Sequence, residues 1–297
     1  MSTNIVVMKF GGTSVASEEG LTGIVSRVRE EQAAGRLPVL VVSAMGRKGA
    51  PYATDTLLSL VECDQCSKHE LDILMSVGEV ISSVVIAAKL NANTISACAL
   101  TGAEAGIYTD GRDAAAAIQE IDTSRIRGLI SQGIVPVVAG FQGIDQQGTV
   151  HTLGRGGSDT TACALGVALS ADTVDIYTDV DGIMTADPRI VEDAMILERI
   201  TADELFQMAR SGSKIVHAPA AELALESKVT MRVRNTFNHS PGTTVVSIAS
   251  FKPDALATAV STVDGISRIR VRLPYVKEDA AAHMETQTRV YRAMADA

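Results

Sequence analysis

Gly154-Arg155-Gly156-Gly157-Ser158-Asp159-Thr160-Thr161 packs three glycines, a guanidinium and a carboxylate into one turn, and an Ala- and Leu-rich stretch carries on to about Ser170. That order reads as strand, tight turn, helix. The helix is expected over Ser158 to about Ser170 with Ser158 or Asp159 as its cap, and its leading N–H groups point back into the glycines, an end that attracts anions. Gly156 and Gly157 let backbone approach a phosphate closely, and the planar fork of Arg155 suits a carboxylate. Taken alone, the stretch equally describes an ordinary strand-to-helix turn with a surface arginine.

Upstream, Asn4 to Phe10 is too continuously apolar for a one-sided strand and reads as a buried parallel strand, broken by Gly11-Gly12-Thr13-Ser14. A helix follows from about Glu18 to Ala34. Lys9 stands at the C-terminal end of that first strand, where open α/β sheets bind ligands. Pro38 to Ala44 repeats the strand pattern, and a helix begins near Thr54-Asp55, one of which caps it. His69 to Leu90 reads as a long helix with an apolar face of Leu71, Leu74, Met75, Val77, Ile81 and Val85, and with Glu79 in its middle. Further strands are expected at about 94–100 and 134–139, a helix at about 123–132, and a hairpin over Gly140 to Val150 with a polar turn at Asp145 to Gly148. The run Ala114 to Ala117 suits a short helix.

Downstream, Thr173 to Tyr177 is a fifth strand that delivers Thr178-Asp179-Val180-Asp181-Gly182, and an Asp187-Pro188-Arg189 turn follows. Carboxylates directly after a buried strand suit a nucleotide-side loop, and they are also common turn formers. Helices at about 201–211 and 217–226 bracket Lys214, and strands at 229–235 and 243–248 complete the alternation. The fold class is therefore α/β, a mostly parallel sheet sandwiched by helices over 1–250. Beyond it, 251–297 reads as a short, incomplete α+β appendage, with strands at 256–262 and 266–273 and a helix at about 279–294.

Composition narrows the function. With 26 basic against 35 acidic side chains, a formal charge of −9 and no basic block, neither nucleic acid nor a membrane surface is an expected partner. The apolar run at 5–8 is too short for a signal peptide and no later stretch reads as a bilayer span, so a cytoplasmic protein is expected. Cys63 and Cys66 form a CxxC followed by His69, but no second pair completes a tetrahedral set, and no protein metal site is expected. The patterns GxxxxGK[ST] and GxGxxG after the first strand are both missing. Two lysines, glycine amides and several carboxylates on one rim suit phosphoryl transfer. A carboxylate acceptor needs no general base, which agrees with the scattered placement of the five histidines, of which only His151 and His217 fall near these loops.

Lys9 to Val15, Val42 to Gly46, Ser76 to Glu79, Gly154 to Thr161 and Tyr177 to Arg189 together resemble the aspartate kinases of the amino acid kinase superfamily, in order and spacing, through about residue 250. The loop Arg47 to Asp55 looks most like the diaminopimelate-sensitive class. The resemblance implies ATP- and Mg²⁺-dependent phosphorylation of the L-aspartate β-carboxylate, or that of a close analogue. By that resemblance Lys9 stabilises the transferring phosphoryl group and Asp159 orients Lys9 and the substrate amine. Arg155 takes the α-carboxylate, while Thr54, Glu79, Gly156, Gly157 and Ser158 line the acceptor pocket. Gly11, Gly12 and Ser14 surround the nucleotide phosphates, with Thr178, Asp179, Met184, Arg189 and Lys214 holding the rest. The metal is the Mg²⁺ that accompanies ATP.

Two departures from the family pattern stand out. His217-Ala218-Pro219 replaces a usual His-Pro-Arg, and Ala115-Ala116-Ala117-Ile118 replaces Asn-Ala-Arg/Lys-Ile. They leave room for a kinase acting on a related or modified amino acid; a different class of reading, a non-catalytic regulatory subunit of the same fold, is opposed by the intact Lys9, Arg155, Asp159 and Lys214. Residues 256–296 resemble the first part of an ACT module, so no feedback control by lysine, threonine or diaminopimelate is expected unless a partner chain supplies the remainder. A homodimer is the expected assembly.

Overall fold

The computed structural model describes residues 3–211, 216–227, 229–246 and 258–261. All belong to a compact unit over Met1–Thr262, and the expectations for Lys214 and for nearly all of 251–297 lie outside the described residues.

The first strand, β1 (Ile5–Phe10), is hydrogen-bonded in parallel on both sides and is buried on both faces, which is why its apolar run does not alternate. Each large apolar side chain it buries contributes roughly 1.5–3 kcal/mol. After a single helical turn, α1 (Gly12–Val15), come α2 (Glu18–Ala33), β2 (Leu37–Val42) and α3 (Thr54–Leu58). Neither Thr54 nor Asp55 caps α3. The cap position is Ala53, without a side-chain bond.

The helix α4 (Lys68–Ala92) starts at a capping box in which Ser67 and Glu70 satisfy each other's backbone N–H groups. Its orientation corrects the expected apolar face. The side turned inward carries Asp72, Ser76, Glu79 and Ser83, spaced four, three and four residues apart, whereas Ile73, Val77 and Val84 are exposed. Contrary to the sequence expectation, α4 is long and apolar enough to cross a membrane by length and composition alone. Here it serves as a core helix, and its buried carboxylates bond to the surrounding loops.

The strands β3 (Ala97–Leu100), β4 (Ile107–Thr109) and β5 (Ile118–Ile121) come next, then α5 (Ser124–Ser131) and β6 (Val135–Ala139). The expected hairpin forms as β7 (Gln142–Ile144) and β8 (Val150–Thr152). Ala114 to Ala117 is a turn rather than a helix: Ala114 sits at φ +63 and donates its N–H to the Asp72 carboxylate. The chain continues through α6 (Gly157–Leu169), β9 (Thr173–Thr178), β10 (Arg199–Thr201), α7 (Ala202–Arg210), α8 (Ala218–Ser227), β11 (Met231–Asn235) and β12 (Thr243–Val246).

Eight strands form one sheet in the order β10-β12-β11-β9-β1-β2-β6-β3, parallel except at β11–β12. A second sheet of four strands, β5-β4-β7-β8, stands apart from it. Of the strand expected at 256–262, the described residues Thr258 to Ser261 are not extended into a strand, and the Val260 N–H donates to the Thr185 carbonyl.

Candidate active site

The site is built where β1 and β9, neighbours in the sheet, release their C-terminal ends toward the start of α6. Lys9 is the penultimate residue of β1, in register with Val41 and Ile176. Its Nζ lies 2.6 Å from Asp159 Oδ1, an ion pair rather than an aligned hydrogen bond. Asp159 sits in the first turn of α6, nearly fully buried, and Lys9 is mostly covered. Charges so placed are weakly screened, and removing one partner leaves the other uncompensated.

Two glycines make this approach possible. A Cβ on Gly12 would stand 2.5 Å from the Gly46 carbonyl oxygen, so only glycine fits between the turn after β1 and the loop after β2. Gly156 takes φ +76 at the N-terminal boundary of α6, and a Cβ there would stand 2.4 Å from the Cβ of His217. Gly156 is also the cap residue of α6, without a side-chain bond. Ser158 and Asp159 lie inside the first turn rather than capping it.

Lys9, Gly11, Gly12, Asp159, Thr178 and Asp179 line one cavity of about 270 Å³, to which Gly46, Arg47 and His217 also contribute. Larger clefts occur elsewhere on the surface but lack this convergence of a buried lysine, a buried carboxylate and glycine backbone. Asp179 Oδ2 pairs with Arg47 Nη2 at 2.9 Å across the mouth, and Thr178 Oγ1 donates to Asp179 Oδ1 at 3.2 Å. Beneath this loop, Asp175 is fully buried and gripped by Arg232 through Nε at 2.7 Å and Nη2 at 2.5 Å, while Arg234 Nη1 donates to the Tyr177 hydroxyl at 2.9 Å. The Tyr177 ring stacks on Phe10 at 4.7 Å, an arrangement worth about 1 kcal/mol beyond its area. Burial pushes the Tyr177 phenol above its ordinary range, so it acts as a neutral brace.

The other expected residues divide. Ser158 is buried, and a Cβ on Gly140 would stand 2.9 Å from its own. Arg155 is exposed, with its guanidinium unpaired among the described residues. Glu79, 3% exposed, accepts the Ala44 N–H at 3.0 Å through Oε1, while Oε2 has no partner. Burial pushes its carboxyl up to about 8, against the opposing hydrogen bonds from backbone N–H groups. Ser14 does not face the cavity: it is fully buried and its hydroxyl bonds to that of Thr236 at 2.6 Å. Met184 bridges to Ile196, and Arg189 closes on Asp187 with its side chain largely in solvent. Neither lines the Lys9 cavity, nor does Thr54 at the start of α3. Asp181 is turned toward Asn235 and Asn238.

Sequence reasoning missed Arg47 as a wall of this cavity. Its signal was its place, after the second strand of the same rim and directly beyond Gly46.

The sequence profile of the amino acid kinase family matches residues 4–235. Aspartokinase 1 of Bacillus subtilis (strain 168) is 43% identical over 99% of this chain and 73% of its own length. Aspartate kinase from Synechocystis superposes with a TM-score of 0.71 at 40% identity, over 82% of this chain and 40% of that one. Escherichia coli aspartokinase III, solved in complex with aspartate and ADP, gives a TM-score of 0.71 at 27% identity, over 82% of this chain and 64% of its own. The chain spans 58–65% of the length of seven other curated aspartate kinases that it matches.

Proposed function

The chain belongs to the amino acid kinase family, and from that membership we propose that it transfers the γ-phosphoryl group of ATP to the β-carboxylate of L-aspartate, giving 4-phospho-L-aspartate. The observation that carries this reading is the Lys9–Asp159 pair at 2.6 Å in a glycine-walled cavity. Transfer between phosphate and carboxylate brings anions together, so catalysis rests on positioning and on neutralising charge. Lys9 supplies the neutralising charge. Asp159 holds the ammonium in place, and the packing of Gly12 against Gly46 leaves backbone rather than side chain against the phosphates.

On the acceptor side, Arg155 has its planar donors free for the α-carboxylate. Glu79 Oε2, buried without a partner, suits an incoming ammonium group, whose charge would draw the carboxyl back toward ionisation. The carboxylates lining the cavity, Asp159 and Asp179, fit a Mg²⁺ ion, which is held by one or two carboxylates and mainly by phosphate oxygens and water. Bound there with ATP, Mg²⁺ supplies charge neutralisation of the phosphates. The natural place for the reaction is the cytoplasm, where ATP and free amino acids meet.

One observation favours keeping a second acceptor in view. The Ala114–Ala117 turn lies against Gly154, with the Ala114 carbonyl oxygen 3.3 Å from where a Cβ on Gly154 would stand, and small apolar side chains there suit a bulkier or modified aspartate. Incubation with ATP, Mg²⁺ and a panel of acids, with hydroxylamine trapping of any acyl phosphate, tests both. Hydroxamate from L-aspartate above all other acids supports the proposal; hydroxamate from another acid only, or from none, refutes it.

A further inference from the structure

A second cluster of titratable groups gathers around β8, and the phosphoryl-transfer reading uses none of its members. His151, on β8, is 4% exposed. Its Nδ1 lies 3.1 Å from Asp113 Oδ1 and 3.9 Å from Asp72 Oδ2, and its Nε2 lies 3.4 Å from Asp145 Oδ2. Nε2 has no aligned hydrogen bond although it is buried. Asp72 is fully buried; one oxygen accepts from the Thr152 hydroxyl and the other from the Ala114 N–H at 2.9 Å. No Lys or Arg among the described residues pairs with any of these three carboxylates. Even with a protonated imidazole, the cluster therefore keeps an excess of negative charge around the buried Asp72 and His151, with Asp113 open to solvent on one side. Such an arrangement is costly unless a cation completes it.

The spacing suits a metal. One oxygen each from Asp72 and Asp113 and one nitrogen of His151 lie within 4.8 Å of one another. A tetrahedral ion with bonds of about 2.1 Å spaces its ligands roughly 3.4 Å apart, and the observed 3.1 and 3.9 Å bracket that value. A metal-bound histidine usually gives its other N–H to a carboxylate. Asp145 stands at that position, with its Oδ1 fixed by the Gln147 and Thr149 N–H groups, each at 2.9 Å, and its Oδ2 turned to His151. An acidic cleft lined by Asp110, Glu120 and Asp145 offers a cation a way in.

We propose that Asp72, Asp113 and His151 form a binding site for a divalent transition-metal ion of the Zn²⁺ class, with Asp145 orienting the histidine and water in the remaining position. Imidazole with two carboxylates is a donor set that favours such ions over Mg²⁺. The ion would join α4, the Ala114 turn and β8. Those segments also carry Glu79, the wall beside Gly154, and the approach to Arg155, so the ion braces the acceptor side of the site from behind.

The test uses the full chain, freed of metal with a chelator and kept without nucleotide. Titration with Co²⁺ is followed by its visible d–d absorption, and Zn²⁺ is added in competition. One equivalent of Co²⁺ displaced by Zn²⁺ is expected. His151→Asn and Asp113→Asn should each weaken binding at least ten-fold, and Asp145→Asn roughly 10- to 100-fold, with circular dichroism confirming that each variant is folded. Three results overturn the proposal: no Co²⁺ spectrum, unchanged affinity in His151→Asn and Asp113→Asn, or a thiolate-to-cobalt charge-transfer band, which would put the ion at Cys63 and Cys66.

Discussion

The rim of the large sheet and the buried face of α4 treat charge in opposite ways. At the rim, three acids meet bases: Asp159 faces Lys9, Asp179 faces Arg47, and Asp175 is held by Arg232. Along α4, Asp72 and Glu79 are as deeply buried, yet neither meets a Lys or Arg among the described residues. Their oxygens are met by backbone N–H groups and a threonine hydroxyl instead, and one Glu79 oxygen is left over. The difference teaches how the two halves of the site divide their work. In the proposed reading the rim takes the anionic phosphates together with Mg²⁺, whereas the α4 side takes positive charge, an amino group at Glu79 and a metal ion at Asp72.

Breaking the balanced side should have the largest effect. Lys9→Ala or Asp159→Asn is expected to lower kcat by about 10²- to 10³-fold or more in the hydroxamate assay, with the fold intact by circular dichroism. Arg155→Met should act mainly on the acceptor, raising its KM roughly 10- to 100-fold with a smaller change in kcat. A kcat loss without a KM change would remove Arg155 from substrate binding.

The unbalanced side gives a pH signature. Glu79 stays protonated in the folded chain up to about 8, while the unfolded chain ionises it near 4.5. The folded state therefore binds more protons across that interval, and this residue makes stability fall as pH rises from about 4.5 to about 8. The penalty when complete is on the order of 5 kcal/mol. Glu79→Gln should accordingly be more stable than the parent at pH 8.5, about equal to it at pH 4.5, and weaker in binding the acceptor. Chemical denaturation at the two pH values checks this; an equal stability change at both would contradict it. The smallest effect is expected at Arg47→Ala. Its pair with Asp179 is largely exposed, so a loss of under about 1 kcal/mol in nucleotide binding, diminishing with salt, should be seen by calorimetry.

The same contrast explains what could be read from the chain alone. The large sheet was legible because its central strands are buried on both faces and so are continuously apolar, and the rim was legible because glycines and charges follow those strands directly. The small sheet was not fully legible. Its hairpin announced itself through the polar turn at Asp145 to Gly148, but Ile107-Tyr108-Thr109 and Ile118-Gln119-Glu120-Ile121 are too short and too mixed to show a period. The helix expected at Ala114 to Ala117 fails because the Asp72 carboxylate, distant in sequence, captures the Ala114 N–H. The face of α4 was misread for a related reason. Apolar periodicity assigns Asp72 and Glu79 to solvent, and only the folded chain reveals the backbone donors that make their burial tolerable. Ser14 shows the limit of reading by resemblance, since its hydroxyl is taken by Thr236, a residue 222 positions away.

The central claim is that Lys9 and Asp159 act as one unit in phosphoryl transfer. The most direct measurement is a double-mutant cycle on kcat/KM with ATP and L-aspartate, using Lys9→Ala, Asp159→Asn and the combined variant. If the pair acts together, the combined variant is only a few-fold worse than either single one. Losses that multiply, or a single variant that keeps near-parental turnover, would contradict it.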